Sequence, residues 1–236
     1  MRNKKILLLL IFCLIFFLLT GCNNNTNLNM ESKIEAEIEF AENRILLFLK
    51  NSEYDEYLED STLNWEKIEN DTNQFVNSFP IIEADLSNVQ YSQNQIDEIK
   101  NNLNSITNNL KNRNFQNLKN EYGNLYLKII NIKNNKNKDL KNKCMKIYIQ
   151  ALNENKNVAD LIAEIENDYK KNKNDYEFVN INKYSMNKIY DNIVDLKKGL
   201  KDNEFNKIRA HSLKIIEIMW FLCDFLCFLC ENIWNI

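Results

Sequence analysis

Cys22 is the residue of this sequence with the clearest chemical role. A cysteine thiolate is a nucleophile, so its sulfur can accept a group by covalent transfer. The small residue Gly21 precedes it, and an uncharged apolar run occupies positions 6–19. The chain begins with three basic residues, Arg2, Lys4 and Lys5. A basic start and an apolar run of this length are typical of a secretory signal peptide, whereas a transmembrane helix needs about twenty apolar residues.

The segment Leu19-Thr20-Gly21-Cys22 resembles the lipobox of bacterial lipoproteins of the low-GC Gram-positive type. The resemblance implies that Cys22 receives a diacylglyceryl group and that signal peptidase II cuts between Gly21 and Cys22. Two acyl chains anchor a protein stably, whereas a single chain anchors it only marginally. We therefore expect a lipid-anchored protein on the extracytoplasmic face of the cell membrane. An uncleaved N-terminal anchor is the alternative.

The remaining chain divides into a short spacer and two larger segments. Residues 22–30 hold the lipidated cysteine and an asparagine-rich tract, which we expect to be an unfolded tether because it has no apolar periodicity. Helical unit 1 is predicted over residues 31–132 and helical unit 2 over 139–236, with a linker of lysine and asparagine at 133–138.

The charge of the mature chain limits its partners. Residues 1–21 contain three basic and no acidic residues, so the mature chain has 27 basic and 33 acidic residues and a net charge of −6. Proteins that bind nucleic acid usually present excess positive charge to the phosphates. We therefore expect the membrane, reached through the lipidated Cys22, and an envelope protein as partners, and no nucleic acid.

Apolar residues recur at helical spacing through most of the mature chain, which predicts an all-α, multi-helix bundle. One proline, Pro80, and two glycines, Gly123 and Gly199, interrupt the mature sequence, too few for a β-sandwich or barrel. We expect Pro80 to end the helix that contains Trp65, Phe75 and Phe79. The apolar stripes predict helices near residues 34–49, 65–79, 96–110, 115–132, 140–151, 158–169, 183–200 and 204–230.

An internal repeat is visible in these stripes. Shifted by ninety residues, segment 99–130 falls on 189–220, and the connection between Leu110 and Phe115 falls on that between Leu200 and Phe205. Chance similarity of two amphipathic helices is the alternative. If the repeat is real, the mature chain contains two similar helical-hairpin units that pack together.

The last helix is unusually apolar, and three readings of it stay open: core helix, second membrane contact and partner interface. Acidic residues at a spacing of seven favour a core helix with one strip in water, namely Glu217, Asp224 and Glu231. Its cysteines, with the spacing of some iron–sulfur motifs, share one helical face and are interpreted as packing residues: Cys223, Cys227 and Cys230. Cys144 also lies on an apolar face.

The search for catalytic groups is largely negative. His211 is the only histidine, and we interpret it as a hydrogen-bonded surface or partly buried residue. The acidic run from Glu53 to Asp60 is interpreted as a solvated helix face rather than a cation site. Five aromatic residues at helical spacing are predicted to be core rather than ligand-binding, namely Trp65, Phe75, Phe79, Tyr122 and Tyr126.

Three functional hypotheses follow from the sequence. The first is a non-enzymatic lipoprotein whose helical domain binds a protein or another envelope component. The second is a solute- or cofactor-binding lipoprotein with a pocket between helices. The third is an enzyme, which the missing catalytic motifs disfavour. We expect no metal and no cofactor, and catalytic residues are not assigned.

Overall fold

Eight helices and one short pair of strands form the part of the chain that the structure describes, which confirms the predicted all-α bundle. In chain order the elements are α1 (Asn25–Glu53), β1 (Leu58–Glu59), β2 (Thr62–Leu63), α2 (Trp65–Asn88), α3 (Gln93–Lys111), α4 (Phe115–Ile130), α5 (Lys138–Leu152), α6 (Val158–Phe178), α7 (Lys183–Asp202) and α8 (Phe205–Ile233).

The structure is a computed structural model that describes residues 25–54, 56–59, 62–88, 91–132, 138–155, 157–178 and 183–233. Within these ranges it describes side chains except at 25–32, 88, 172–178, 183–184 and 220–233. The signal peptide with Gly21 and Cys22, and linker positions 133–137, lie outside the described residues. None of the helices described has both the length and the hydropathy that crossing a bilayer requires.

The helices close into two four-membered rings with the same order. In the first ring each of α1, α2, α3 and α4 contacts the next, and α4 returns to α1. In the second ring α5, α6, α7 and α8 repeat this pattern, and α8 returns to α5. Further contacts join α4 to α5 and α8 to α1, so α1, α4, α5 and α8 form a central four-helix bundle between two outer helix pairs.

One hydrophobic core runs through both rings, with buried side chains from all eight helices. Phe48 of α1 stacks on Tyr122 of α4 with ring centroids 3.8 Å apart, and Phe75 of α2 lies 5.8 Å from the same ring. Phe79, Tyr122 and Tyr126 are almost fully buried and Trp65 is partly buried, so the prediction that these aromatic residues belong to the core is confirmed.

The hairpins α3–α4 and α7–α8 turn in the same way at an offset of ninety residues. Arg113 and Asn203 both have positive φ, 49° and 55°, a conformation that asparagine tolerates better than most residues. The backbone hydrogen bonds match as well, because Arg113 N–H donates to Leu110 and Asn203 N–H to Leu200. The sequence repeat therefore corresponds to a repeated local structure.

The first helices of the two rings also correspond, at an offset of ninety-nine residues. The buried positions of α1 between 41 and 49 have buried counterparts in α5 between 140 and 148, in the same order. Glu42 thereby corresponds to Lys141, and the two meet directly, with Lys141 Nζ 2.7 Å from Glu42 Oε1. Corresponding positions of the two rings therefore meet at this ion pair.

Two expectations about helix ends were wrong. Helix α1 begins at Asn25, so residues 25–30 are helical rather than part of an unfolded tether. Once buried residues such as Ile34 and Ile38 fix a helix, extending it by a further turn is inexpensive. Pro80 lies inside α2 and does not end it, because buried apolar residues continue the stripe beyond it at Ile82 and Leu86. Their burial outweighs the hydrogen bond that proline removes.

The prediction for the acidic run was wrong in part. The helix α1 ends at Glu53 and a turn then leads into an antiparallel strand pair, so the run is not a helix face. Glu56 and Glu59 are exposed, as predicted. Leu58 pairs with Leu63 and Glu59 with Thr62. Tyr57 in the turn is 1% exposed, and its hydroxyl lies 3.0 Å from Asp71 Oδ2. Tyr57 therefore anchors the turn to the bundle, while the other described residues of the run after Glu53 are exposed: Tyr54, Glu56, Leu58 and Glu59.

Candidate ligand-binding groove

A polar groove of about 340 Å³ lies between α3 and α4, on the outer side of the first ring. The two helices pack through their apolar stripes, and the polar residues beside each stripe line the groove. These are mostly amides, with one hydroxyl, one carboxylate and one ammonium: Asn101, Asn102, Ser105, Glu121, Asn124, Leu127, Lys128 and Asn131. This volume falls within the range of small-molecule sites.

Asn102 is the central polar residue of the groove. Its side chain is almost fully buried, 3% exposed, and its Nδ2 donates to the backbone carbonyl of Glu121 at 3.1 Å and to Glu121 Oε2 at 2.6 Å. These two acceptors fix the orientation of the amide. Its Oδ1 atom is buried without a hydrogen-bond partner in the described structure. This atom also has almost no accessible surface, so a donor in the groove cannot come within hydrogen-bond distance of it.

Two opposite charges lie at different heights along the groove. Glu121 and Lys128 are seven residues apart on α4 and therefore on one face of that helix. Lys128 Nζ donates to the backbone carbonyl of Glu98 at 3.1 Å. Among the described residues, neither Glu121 nor Lys128 is found in an ion pair, but both are hydrogen-bonded, Glu121 to Asn102 and Lys128 to the carbonyl of Glu98.

At the equivalent position of the second ring the asparagine again bonds to the facing helix, but its neighbours are a histidine and an aspartate. Asn192 and His211 correspond to Asn102 and Glu121, and Asn192 Oδ1 lies 2.8 Å from His211 Nδ1. Asp195, the counterpart of Ser105, lies 3.6 Å from the same ring nitrogen. The hairpin fold therefore tolerates charged residues here, so its packing does not demand the amides and hydroxyl of the first ring.

His211 is partly buried and hydrogen-bonded, which confirms its interpretation from the sequence. Burial lowers the pKa of His211, and nearby Lys214 and Lys207 add to the shift while Asp195 opposes it. The unfolded chain therefore binds this proton more readily than the native one. The contribution of His211 to the free energy of unfolding is fully present above about pH 6.5 and is lost as the pH falls below that value. Since the chain has one histidine, we expect a single imidazole resonance in NMR to titrate with a midpoint below 6.5. A midpoint above that value would contradict the burial of the ring.

Comparison with models of protein families, with curated proteins and with solved structures gives no match.

Two buried ionic clusters lie away from the groove, in the central bundle. Glu53 accepts from Lys119 Nζ at 3.1 Å, from Tyr148 Oη at 3.0 Å and from Arg209 Nε at 2.7 Å. Burial lowers the pKa of Lys119, and the Glu53 carboxylate opposes that shift. Lys119 and Arg209 are themselves equivalent at the ninety-residue offset, so one carboxylate joins both halves of the protein.

The second cluster lies three helical turns along α1. Glu42 accepts from Lys141 Nζ at 2.7 Å and from Tyr126 Oη at 2.8 Å, and both charged side chains are at most 3% exposed. A small cavity of about 40 Å³, lined by Arg44, Asp71 and neighbouring aromatic rings, lies closer to α2 and has room for little more than one water molecule. These clusters hold helices together and offer no space for a solute.

Among the described side chains, those singled out from the sequence do not assemble into a reactive site. Cys144 is a buried free cysteine, and its burial raises the pKa of the thiol. The thiol is therefore unreactive and serves as a packing residue. The side chains of Cys223, Cys227 and Cys230 lie outside the described residues. Among the side chains described, no group of three histidine, cysteine or acidic residues is arranged to hold a metal ion. The sequence therefore identified the core correctly but did not identify the groove.

Proposed function

We propose that this protein is a lipid-anchored, non-enzymatic binding protein that takes up a small polar solute in the groove between α3 and α4. In this proposal, cleavage after Gly21 leaves Cys22 as a diacylated N-terminus on the extracytoplasmic face of the cell membrane. The basic start, the apolar run and the lipobox-like segment support the anchoring. Helix α1 begins three residues after Cys22, so the bundle would stand close to the bilayer.

The observation that carries solute binding is the groove itself, which has a volume of about 340 Å³ and a lining made mostly of amide side chains. Asn102 is held in this lining by the two bonds of its own amide nitrogen. The groove contains no histidine or cysteine, and its amides are suited to hydrogen bonding rather than to nucleophilic chemistry.

A partner protein is the second candidate function. Phe40 and Leu47 lie seven residues apart on α1, and they are 46% and 49% exposed. Aromatic and aliphatic side chains on one helical face can anchor a protein partner. Arg44 lies over the Phe40 ring at 5.3 Å, which covers part of this face. The groove is therefore the stronger basis for a proposal.

Replacing Asn102 with leucine tests the role of the groove. We expect Asn102→Leu to change the free energy of unfolding by no more than about 1 kcal/mol, because it removes two hydrogen bonds together with an unpaired acceptor. The measurement is NMR of side-chain amides during titration with the low-molecular-mass fraction of cell envelope. Resonances of Asn101 and Asn124 should move in the native protein and stay unchanged in Asn102→Leu.

The matched control is Asn192→Leu, which alters the equivalent residue of the second ring. This variant should preserve the response of Asn101 and Asn124. If the amide resonances move to the same extent in native protein and in Asn102→Leu, the solute is not bound through this groove. If neither resonance moves in the native protein, solute binding by the groove fails as a proposal.

A further inference from the structure

A stripe of apolar side chains lies on the solvent-facing side of α1. Phe40, Leu47 and Tyr54 follow one another at a spacing of seven residues and are 46%, 49% and 43% exposed. Tyr54 comes directly after α1, and its N–H donates to the carbonyl of Lys50, so the last helical turn includes it. Seven residues make almost two helical turns, so these side chains share one face at intervals of about 10 Å. A flat surface laid along α1 would contact all three.

Helix α2 adds a fourth apolar residue on the same side of the molecule. Ile81 is 62% exposed and lies four residues before Asp85, so the two share one side of α2. Asp85 Oδ2 lies 2.7 Å from Nζ of Lys33, which precedes Phe40 by seven residues on α1. This ion pair therefore places Ile81 and the stripe on one surface. The α1–α2 face comprises these four apolar residues: Phe40, Leu47, Tyr54 and Ile81.

The packing of the bundle does not require apolar residues along this stripe. At the offset of ninety-nine residues that relates α1 to α5, its three positions are exposed and polar: Asp139, Lys146 and Asn153. The two helices nevertheless bury their other positions in the same order. Exposed apolar surface that packing does not need indicates contact with something outside the domain.

Arg44 adds a positive charge to this face. Its guanidinium lies 5.3 Å from the centroid of the Phe40 ring, and no ion pair or hydrogen bond joins it to another of the described residues. A guanidinium can bind a phosphate group through two parallel hydrogen bonds. Aromatic and aliphatic side chains next to a basic residue are typical of protein surfaces that lie at the boundary between lipid head groups and acyl chains.

The carboxylates around Arg44 have other partners. Asp71, which lines the same small cavity as Arg44, accepts from the hydroxyl of Tyr57. Glu37 and Asp85 lie 3.7 Å and 2.7 Å from Lys33 Nζ. The charge of Arg44 is therefore available to an anionic group outside the protein.

The length of chain before α1 identifies the bilayer as the surface within reach. Helix α1 begins at Asn25, three residues after Cys22, and three residues of extended chain span at most about 11 Å. With Cys22 lipidated, the start of α1 would lie within this distance of the membrane surface. The α1–α2 face then meets lipid if α1 lies along the bilayer instead of standing upright on it.

We propose that the α1–α2 face lies on the membrane, with its apolar side chains between the lipid head groups and Arg44 bound to lipid phosphate. This inference rests on the proposed lipid anchor and adds the orientation of the bundle, in which α1 runs parallel to the bilayer. The acyl chains retain the protein on the membrane, and the α1–α2 face determines which side of the protein is turned towards it. The groove between α3 and α4 is left open to solutes.

Photolabelling from within the bilayer tests the inference. Lipidated protein is placed in vesicles of phosphatidylcholine and phosphatidylglycerol that contain a phosphatidylcholine with a diazirine in one acyl chain. Light converts the diazirine to a carbene, which inserts into side chains that touch the lipid, and mass spectrometry locates the label. We expect Phe40, Leu47 and Ile81 to carry about tenfold more label than Tyr190 and Val194. This second pair is 39% and 47% exposed on α7, so it is a reference of similar exposure.

Two double variants make the test specific to the stripe. Phe40→Gln with Leu47→Gln should lower the labelling of the unaltered Ile81 at least about fivefold, because the main apolar contact with lipid is lost. Tyr190→Gln with Val194→Gln is the matched control and should leave the labelling of Ile81 unchanged. Arg44→Gln removes only the contact with phosphate and should lower the labelling about twofold. Circular dichroism confirms that each variant is folded.

The outcomes separate this orientation from the anchor on which it rests. If the protein carries lipid mass and its α1–α2 face is labelled no more than Tyr190 and Val194, the orientation is wrong and the anchor stands. The same holds if the double glutamine variant of the stripe leaves the labelling of Ile81 unchanged. Cross-links from the α1–α2 face to a second copy or to another protein, in place of label from lipid, would also overturn the inference. If the purified protein carries no lipid mass, the anchor and the orientation fail together.

Discussion

The variant Cys22→Ser is expected to leave the membrane almost completely and to lose all incorporation of labelled fatty acid. A hydroxyl cannot replace the thiol as the lipid acceptor, and each buried methylene of the lost chains had contributed about 0.8 kcal/mol to membrane binding. The measurement is fractionation of cells after a high-salt wash, together with metabolic labelling by palmitate. Mass spectrometry of the purified protein then reports whether residues 1–21 have been removed.

Cys13→Ser is the matched control for this experiment. Cys13 lies in the apolar run and would be discarded with the signal peptide, so this variant should be lipidated and retained like the native protein. If Cys22→Ser still sedimented with membranes after the wash, the apolar C-terminal part of α8 would be the anchor. Intact leader on purified native protein, without added lipid mass, would contradict the proposed lipidation altogether.

The largest expected effect on stability comes from the buried pair Glu42–Lys141. Glu42→Gln keeps an acceptor for Tyr126 and removes the counter-charge of Lys141, whose side chain is 3% exposed. An uncompensated buried charge of this kind lowers the free energy of unfolding by about 3–5 kcal/mol. Chemical denaturation followed by circular dichroism measures the change.

Removing the second charge should reverse most of this loss. In Glu42→Gln with Lys141→Met, methionine fills the space of the lysine stem, and we expect stability within about 1–2 kcal/mol of the native protein. The surface pair Glu83–Lys100 provides the control, since both side chains are at least 30% exposed and Lys100→Met should cost less than about 1 kcal/mol. Equal losses for the buried and the surface variant would contradict the burial of Lys141.

The fold was predictable because burial in a helix is periodic. Residues such as Ile45 and Leu49 fall on one face at helical spacing, so sequence alone predicts both the helix and its buried side. Pro80 shows where a local rule fails, because the residues that keep α2 intact lie beyond the proline and act through tertiary packing. Local composition also misjudged residues 25–30, which continue a helix that packing farther along the chain stabilises.

The ionic clusters were not predictable from local pattern. Glu53 belongs to an acidic run and its partners lie far away in sequence, Lys119 at 66 residues and Arg209 at 156. The groove was missed for another reason, because asparagine is abundant throughout the chain and no periodicity marks the few that line a cavity. The internal repeat could have indicated the groove, because Ser105 and Asn124 occupy the positions at which the second unit has the charged residues Asp195 and Lys214.

The ion pair between Glu42 and Lys141 also determines which halves of this molecule can associate. Two copies of the first ring, brought together in the same way, would bury one carboxylate against another, and two copies of the second would bury two ammonium groups. Both arrangements are strongly repulsive at low dielectric. Only a first ring and a second ring can bury these charges as a pair. Because one chain contains both rings, each is held at a high effective concentration beside the other.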